Sequence, residues 1–193
     1  MTVVGEIDFL EDDVVRGRLV RWSLALLAIG ALVGAALALS LAALGAGRVG
    51  DDPAWLLAFD GGARQLVWFA LLVVAFVASL PVHELVHAAL FRLFGGPGTR
   101  VRFGCQSGML YAACPGLVLT RGRFCVVLAG PALVVSALLV AGGYAAGVPS
   151  LGLVAFTAHL SGCAGDLLAI WLAIRTPRCT HCEDTERGVR FLG

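Results

Sequence analysis

Charge is the scarcest thing in this chain. Only 14% of its 193 residues are Asp, Glu, Lys or Arg, against nearly twice that share in a soluble domain of this size. With 59% hydrophobic residues and a mean hydropathy of +0.90, that shortage excludes an ordinary soluble domain and implies an integral membrane protein. Lysine is missing altogether: all 14 basic residues are arginine, which speaks of codon usage and not of chemistry. A concentrated basic patch is missing too, and the net charge is +1, so no nucleic-acid partner is expected. The six cysteines, at 105, 114, 125, 163, 179 and 182, lack the regular spacing of a secreted disulfide scaffold and read as mostly free thiols.

Long apolar runs are what the chain has instead. Residues 21–46, 65–94, 124–147 and 151–174 each approach or exceed the ~20 residues needed to cross a ~30 Å hydrocarbon core. The first is too long for a signal-peptide core and follows an acidic start, so it is expected to be retained as a span. Residues 1–193 then form one integral membrane domain, an all-α polytopic fold of four transmembrane helices. The loop 95–123 does not read as helix. Arg100-Val101-Arg102-Phe103 alternates, Gly104, Gly108, Pro115 and Gly116 punctuate, and Leu117-Val118-Leu119 is a second β-prone run, so a short β-hairpin segment is expected between the second and third helices. Gly30/Gly34 and Gly143/Gly147 are GxxxG pairs, whose plain reading is close helix packing.

Arginines predict the topology. Arg16, Arg18 and Arg21 precede the first span; Arg92, Arg100, Arg102, Arg121 and Arg123 lie between the second and third; Arg175, Arg178, Arg187 and Arg190 follow the fourth. The other connections carry only Arg48 and Arg64, offset by Asp51, Asp52 and Asp60, or nothing. The positive-inside rule therefore places both termini and the middle loop in the cytoplasm, as a multi-pass protein of the cell membrane, with the tail 175–193 on that side.

Inside the second span stands His83-Glu84-Leu85-Val86-His87. With four His and five Glu in the chain, this pattern would arise by chance with a probability of about 0.2% from composition alone. Positions i and i+4 share a helix face, so His83 and His87 can offer two imidazole nitrogens to one zinc ion. The expected job of Glu84, beside them, is to take a proton from the attacking water, as the middle acid of this motif does in zinc peptidases. Pro81 removes a hydrogen bond to the Val77 carbonyl two residues before the motif, which either loosens the helix where water must enter or is an ordinary transmembrane proline.

A catalytic zinc normally takes one more protein ligand. Apart from Glu84, Asp166 in the fourth span is the carboxylate that the spans offer. At a rise of ~1.5 Å per residue it lies ~13 Å above Arg175, and His83 lies ~13 Å above Arg92, so the two match in depth. Metal coordination would offset the cost of the buried charge. His159 shares the face of Asp166 but lies ~10 Å further out in a straight helix, too far to join it unless Gly162 and Gly165 break the span. It is either a substrate- or oxyanion-binding group or a buried, hydrogen-bonded histidine. Cys163 is either a further ligand or a small apolar packer. In Cys179, His181 and Cys182 a zinc site would need a fourth donor, and a solvated, reduced tail is the expectation.

Three features together resemble the site-2 protease type of intramembrane metalloprotease: His83-Glu84-x-x-His87, the Gly130-Pro131 that opens the third span, and Ser161-Gly162-Cys163-Ala164-Gly165-Asp166. More narrowly, the chain resembles a small prokaryotic family of unknown function described as "putative zincin peptidases". There a short glycine-rich β segment follows the zinc helix, similar to Val101 to Tyr111, and the tail resembles Asp184-Thr185-Glu186 through Phe191. The resemblance covers most of the chain from the second span onward, and its zinc motif is the specific part. It implies zinc ligation by His83, His87 and Asp166, with Glu84 as general base. The chain departs from typical site-2 proteases in lacking an asparagine shortly after Gly130-Pro131, and Leu167 stands where an Asp-Gly pair would place glycine.

The expected reaction is hydrolysis of a peptide bond in a membrane-embedded or membrane-proximal protein or peptide, within the lipid bilayer. A helical substrate must unwind first, and Val101 to Phe103 are expected to pair with the unwound stretch as an added strand. Two other classes stand beside this one. A metal or proton transporter should string polar groups across the full membrane thickness, whereas here they gather in the inner half of two spans. A non-proteolytic membrane protein with a structural zinc site has no use for Glu84 as a base.

Overall fold

The computed structural model describes residues 1–9, 12–46, 52, 62–106, 109–185 and 188–193. Arg48, Asp51, Asp60, Gly108, Glu186 and Arg187, used above, lie outside the described residues, as does the side chain of Arg64.

Helix α1 (Asp13–Ala43) begins where the Asp12 carboxylate accepts the amides of Val14 at 2.8 Å and Val15 at 3.2 Å, the usual relief for orphan N–H groups at a helix start. Its 31 residues extend for about 46 Å, so its first turns stand outside a ~30 Å hydrocarbon layer. Helix α2 (Ala63–Gly95) runs unbroken through Pro81 and stops at Gly96, whose φ of +80° favours glycine. Helix α3 (Arg121–Ala145) is N-capped by Thr120. The fourth apolar run is two helices, α4 (Pro149–Gly162) and α5 (Ala164–Arg175), bent by 47° at Cys163.

These helices are apolar on the outside. In the hydrophobic windows of α1, α2 and α3 only 17%, 11% and 33% of residues are buried, and Leu32, Leu39, Leu66, Val74 and Leu133 are all well exposed. Three helices are long and apolar enough to cross a membrane, or four if the bent pair counts as one span. A surface of that extent has lipid as its natural solvent. The first glycine pair packs as expected: a Cβ on Gly30 would stand 3.3 Å from the Thr157 Cα of α4, and one on Gly34 would stand 3.6 Å from the Thr157 hydroxyl. In the second pair, Gly143 lies against Gly152 of α4, while Gly147, at φ +71°, belongs to the turn that ends α3.

Strands reach beyond the β-prone loop between the second and third spans, into both ends of the chain. Antiparallel β2 (Arg102–Gln106) and β3 (Met109–Ala113) are the expected hairpin, paired from Arg102–Ala113 to Gln106–Met109. A second sheet has the order β1-β6-β5-β4, from β1 (Val3–Asp8), β6 (Gly188–Leu192), β5 (His181–Asp184) and β4 (Val118–Thr120), all antiparallel. Thr2 and Gly193 exchange backbone hydrogen bonds, so the two chain ends meet. Both ends and the loop between α2 and α3 therefore share one end of the helical bundle, as the arginine pattern requires. At the opposite end the Asp52 carboxylate accepts the Ser150 amide at 2.7 Å, next to the start of α4.

The tail is thus not a solvated extension. Cys179 and Cys182 are 3% and 0% exposed, in a core that joins Ile7, Leu119, Val189 and Phe191 of the sheet to Phe91 of α2, Phe124 of α3 and Leu168 of α5. Strand alternation turns Cys182 inward, and the apolar underside of the sheet seals the arginine-rich end of the bundle. All six cysteines are free thiols.

Candidate metal centre

Helix α2 carries His83 and His87 one turn apart on the face turned toward α3, α4 and α5, with ring centroids 4.8 Å apart and Nε2 atoms 3.1 Å apart. The bend at Cys163 starts a fresh helix whose first turn contains Asp166. Its Oδ2 is 3.2 Å from His83 Nε2 and 3.4 Å from His87 Nε2, and the carboxylate also sits at the positive end of the α5 dipole. Two ligand atoms held tetrahedrally at zinc distances of ~2.0–2.1 Å stand ~3.3–3.4 Å from each other. The three separations here are 3.1, 3.2 and 3.4 Å, and two imidazoles with one carboxylate make a zinc donor set that leaves a fourth position open. The residues fit the metal.

Each imidazole is held from behind. His87 Nδ1 is 3.0 Å from the Val127 carbonyl of α3; a carbonyl only accepts, so Nδ1 carries a proton, and Nε2, which faces Asp166, is the nitrogen left for a metal. His83 Nδ1 is 3.2 Å from His159 Nε2, and His159 Nδ1 is 3.5 Å from the Ser136 hydroxyl. With His83 Nε2 free for a cation, the protons of this chain run His83 to His159 to Ser136. The bend decides the position of His159, which a straight helix would carry away. It reaches the outer nitrogen of His83 and does not join Asp166. Cys163 Sγ lies 4.0 Å from His83 Nδ1 and 3.9 Å from His159 Nε2, but it also donates to the His159 carbonyl at 3.3 Å, as a thiol packed into its own helix does. Among the described residues, the groups of three donors close enough for one ion are His83/His87/Asp166 and His83/His159/Cys163, which share His83. Cys179, His181 and Cys182 form none.

These side chains open onto a cavity of about 590 Å³ whose wall includes Glu84 and Leu110 to Ala113 of β3. The backbone of Ala112 lies beside Glu84. The strand beside the site is therefore β3, with β2 outside it: Phe103 pairs with Ala112 from the far side and is 54% exposed. Val101 to Phe103, expected to pair with an unwound substrate, do not line this cavity; the chain turns back once before its strand reaches α2.

Asp184 of β5 lines the same cavity; the sequence marked it only as part of the resembling tail and gave it no role at the site. Its Oδ2 accepts the Cys114 amide at 2.5 Å. Burial pushes its carboxyl up to about 6, against the lowering effects of that amide and of the His87 charge. The Val127 carbonyl was equally out of sight, because a main-chain atom leaves no mark in a pattern of side chains.

A family model described as "putative zincin peptidase" matches residues 76–181, more than half of the chain and the whole stretch from His83 to Asp166. No curated protein and no solved structure matches the chain.

Proposed function

Since the chain belongs to the putative zincin peptidase family, we propose that it is an intramembrane zinc metalloprotease, of the site-2 protease type, that cleaves membrane-embedded or membrane-proximal protein or peptide substrates. The observation that carries this reading is the convergence of His83 Nε2, His87 Nε2 and Asp166 Oδ2 within 3.1–3.4 Å of one another on a cavity that Glu84 also lines. Zinc held there would supply Lewis acidity, polarising a peptide carbonyl and acidifying a water.

The protein's own groups do the rest. Glu84 is the general base: it accepts the proton of the attacking water and returns it to the leaving amine. The cavity's apolar lining of Phe76, Leu80, Phe91 and Leu128 limits water around that step. An unwound substrate stretch would lie along β3, the strand next to Glu84, where main-chain hydrogen bonds can register the scissile bond over the site. The arginine-rich end that carries both termini would face the cytoplasm, so cleavage falls in the inner half of the cell membrane.

Glu84→Gln tests this directly. Purified in detergent and supplied with candidate single-span substrates, the variant should keep wild-type zinc content and lose cleavage by about 10²–10⁴-fold, the usual contribution of a general base. Undiminished cleavage would remove Glu84 from the chemistry. Wild type that holds zinc and cleaves nothing across a broad substrate panel would favour a structural zinc site.

A further inference from the structure

The acceptor that holds His87 has a cause in the sequence four residues downstream. In a regular helix the Val127 carbonyl accepts the amide of residue 131. Residue 131 is proline, which has no amide and whose ring crowds the carbonyl at i−4 and tilts it outward. Val127 O is in fact turned to His87 Nδ1, at 3.0 Å. Pro131 itself is fully buried in α3. Its neighbour Gly130 lies against α2 so closely that a Cβ there would collide with Leu90 Cδ1. Glycine brings the helices together at the level of the motif, and proline leaves a carbonyl there without its i+4 amide.

We propose that Pro131 is a positioning residue for the metal centre: its missing amide gives the Val127 carbonyl to His87, which holds the ring by its Nδ1–H with Nε2 turned toward Asp166. This deepens the zinc reading and rests on it for its consequence, while the hydrogen bond itself belongs to the metal-free protein. An acceptor held behind a metal-binding imidazole in this way is typically worth 10–100-fold in metal affinity. A proline that merely packs makes the opposite forecast, because restoring an amide inside a helix favours that helix and leaves a distant imidazole untouched.

The test uses the full chain in detergent, as wild type, Pro131→Val and Pro131→Ala; valine keeps most of the buried volume, and the alanine variant stands in if valine does not fold. Nitrogen NMR of labelled histidine in the metal-free protein reads the hydrogen bond of the His87 Nδ1–H, and a chelator competition reads zinc affinity. Wild type should show one hydrogen-bonded Nδ1–H at His87, with both variants losing that hydrogen bond and 10–100-fold weaker for zinc at an undiminished thermal midpoint. A variant that keeps the wild-type hydrogen bond overturns the inference and leaves the zinc reading standing. Wild type that binds no zinc, while the variants still lose the hydrogen bond, overturns the zinc reading and leaves the role of Pro131 intact.

Discussion

At the scale of the residue, the site is made by few side chains, and most were visible in the sequence. His83, Glu84 and His87 declare themselves because ionisable groups in an apolar run are rare and because i, i+4 spacing has one geometric meaning on a helix. Asp166 follows from depth, since the rise per residue sets it level with His83. His159 did not follow, because its place depends on the bend at Cys163, and the glycines at 162 and 165 permit a bend without requiring one. Asp184 was hidden for a different reason: its neighbours come from Cys114 and His87, far away in sequence. Its carboxyl, at about 6 against an ordinary 3.8, binds its proton more tightly in the folded chain. The folded state is therefore favoured by that proton at low pH and loses the advantage as pH rises from 3.8 through about 6. Asp184→Asn, which keeps an acceptor for the Cys114 amide, should flatten the pH dependence of the thermal midpoint across that window and raise the midpoint at pH 7. An unchanged slope would show that the carboxyl does not titrate there.

At the scale of the element, helices were legible and strands only in part. A long apolar run has one solution in lipid, so the four runs recovered α1, α2, α3 and the α4–α5 pair to within a few residues, apart from the amphipathic first turns of α1. The hairpin β2–β3 was read from alternation and glycine punctuation. Strands β1, β4, β5 and β6 are three to six residues each; β4 overlaps the β-prone Leu117-Val118-Leu119 run and β5 pairs locally with β6, but the pairings β1–β6 and β4–β5 reach across the chain and are not written in any local period. Close packing in the helical layer gives its own prediction. Gly143 faces Gly152 with backbone against backbone, and a Cβ there would meet Gly152 Cα at 2.7 Å. Gly143→Val should therefore cost about 1–3 kcal/mol by overpacking, read as a lowered unfolding midpoint in detergent. Gly142→Val, one residue away where a Cβ meets nothing within 4 Å, is the matched control and should shift it little.

At the scale of the whole molecule, two regions with different solvents meet at the site. The helical bundle presents apolar side chains outward to lipid, and the four-stranded sheet closes its arginine-rich end with a core built from both termini. The cavity lies at that junction, with α2 and α5 supplying the donors, α3 and α4 holding them from behind, and β3 beside Glu84. The proposed catalytic metal within membrane depth would need this combination, because water and an extended substrate must reach it while lipid is kept out. The measurement that bears most directly on the arrangement is zinc content and affinity of purified wild type beside Asp166→Ala, both loaded with zinc and then dialysed against a weak chelator. Wild type should retain one zinc per chain and the variant should lose it, whereas stoichiometric zinc retained by the variant would contradict a centre built from His83, His87 and Asp166.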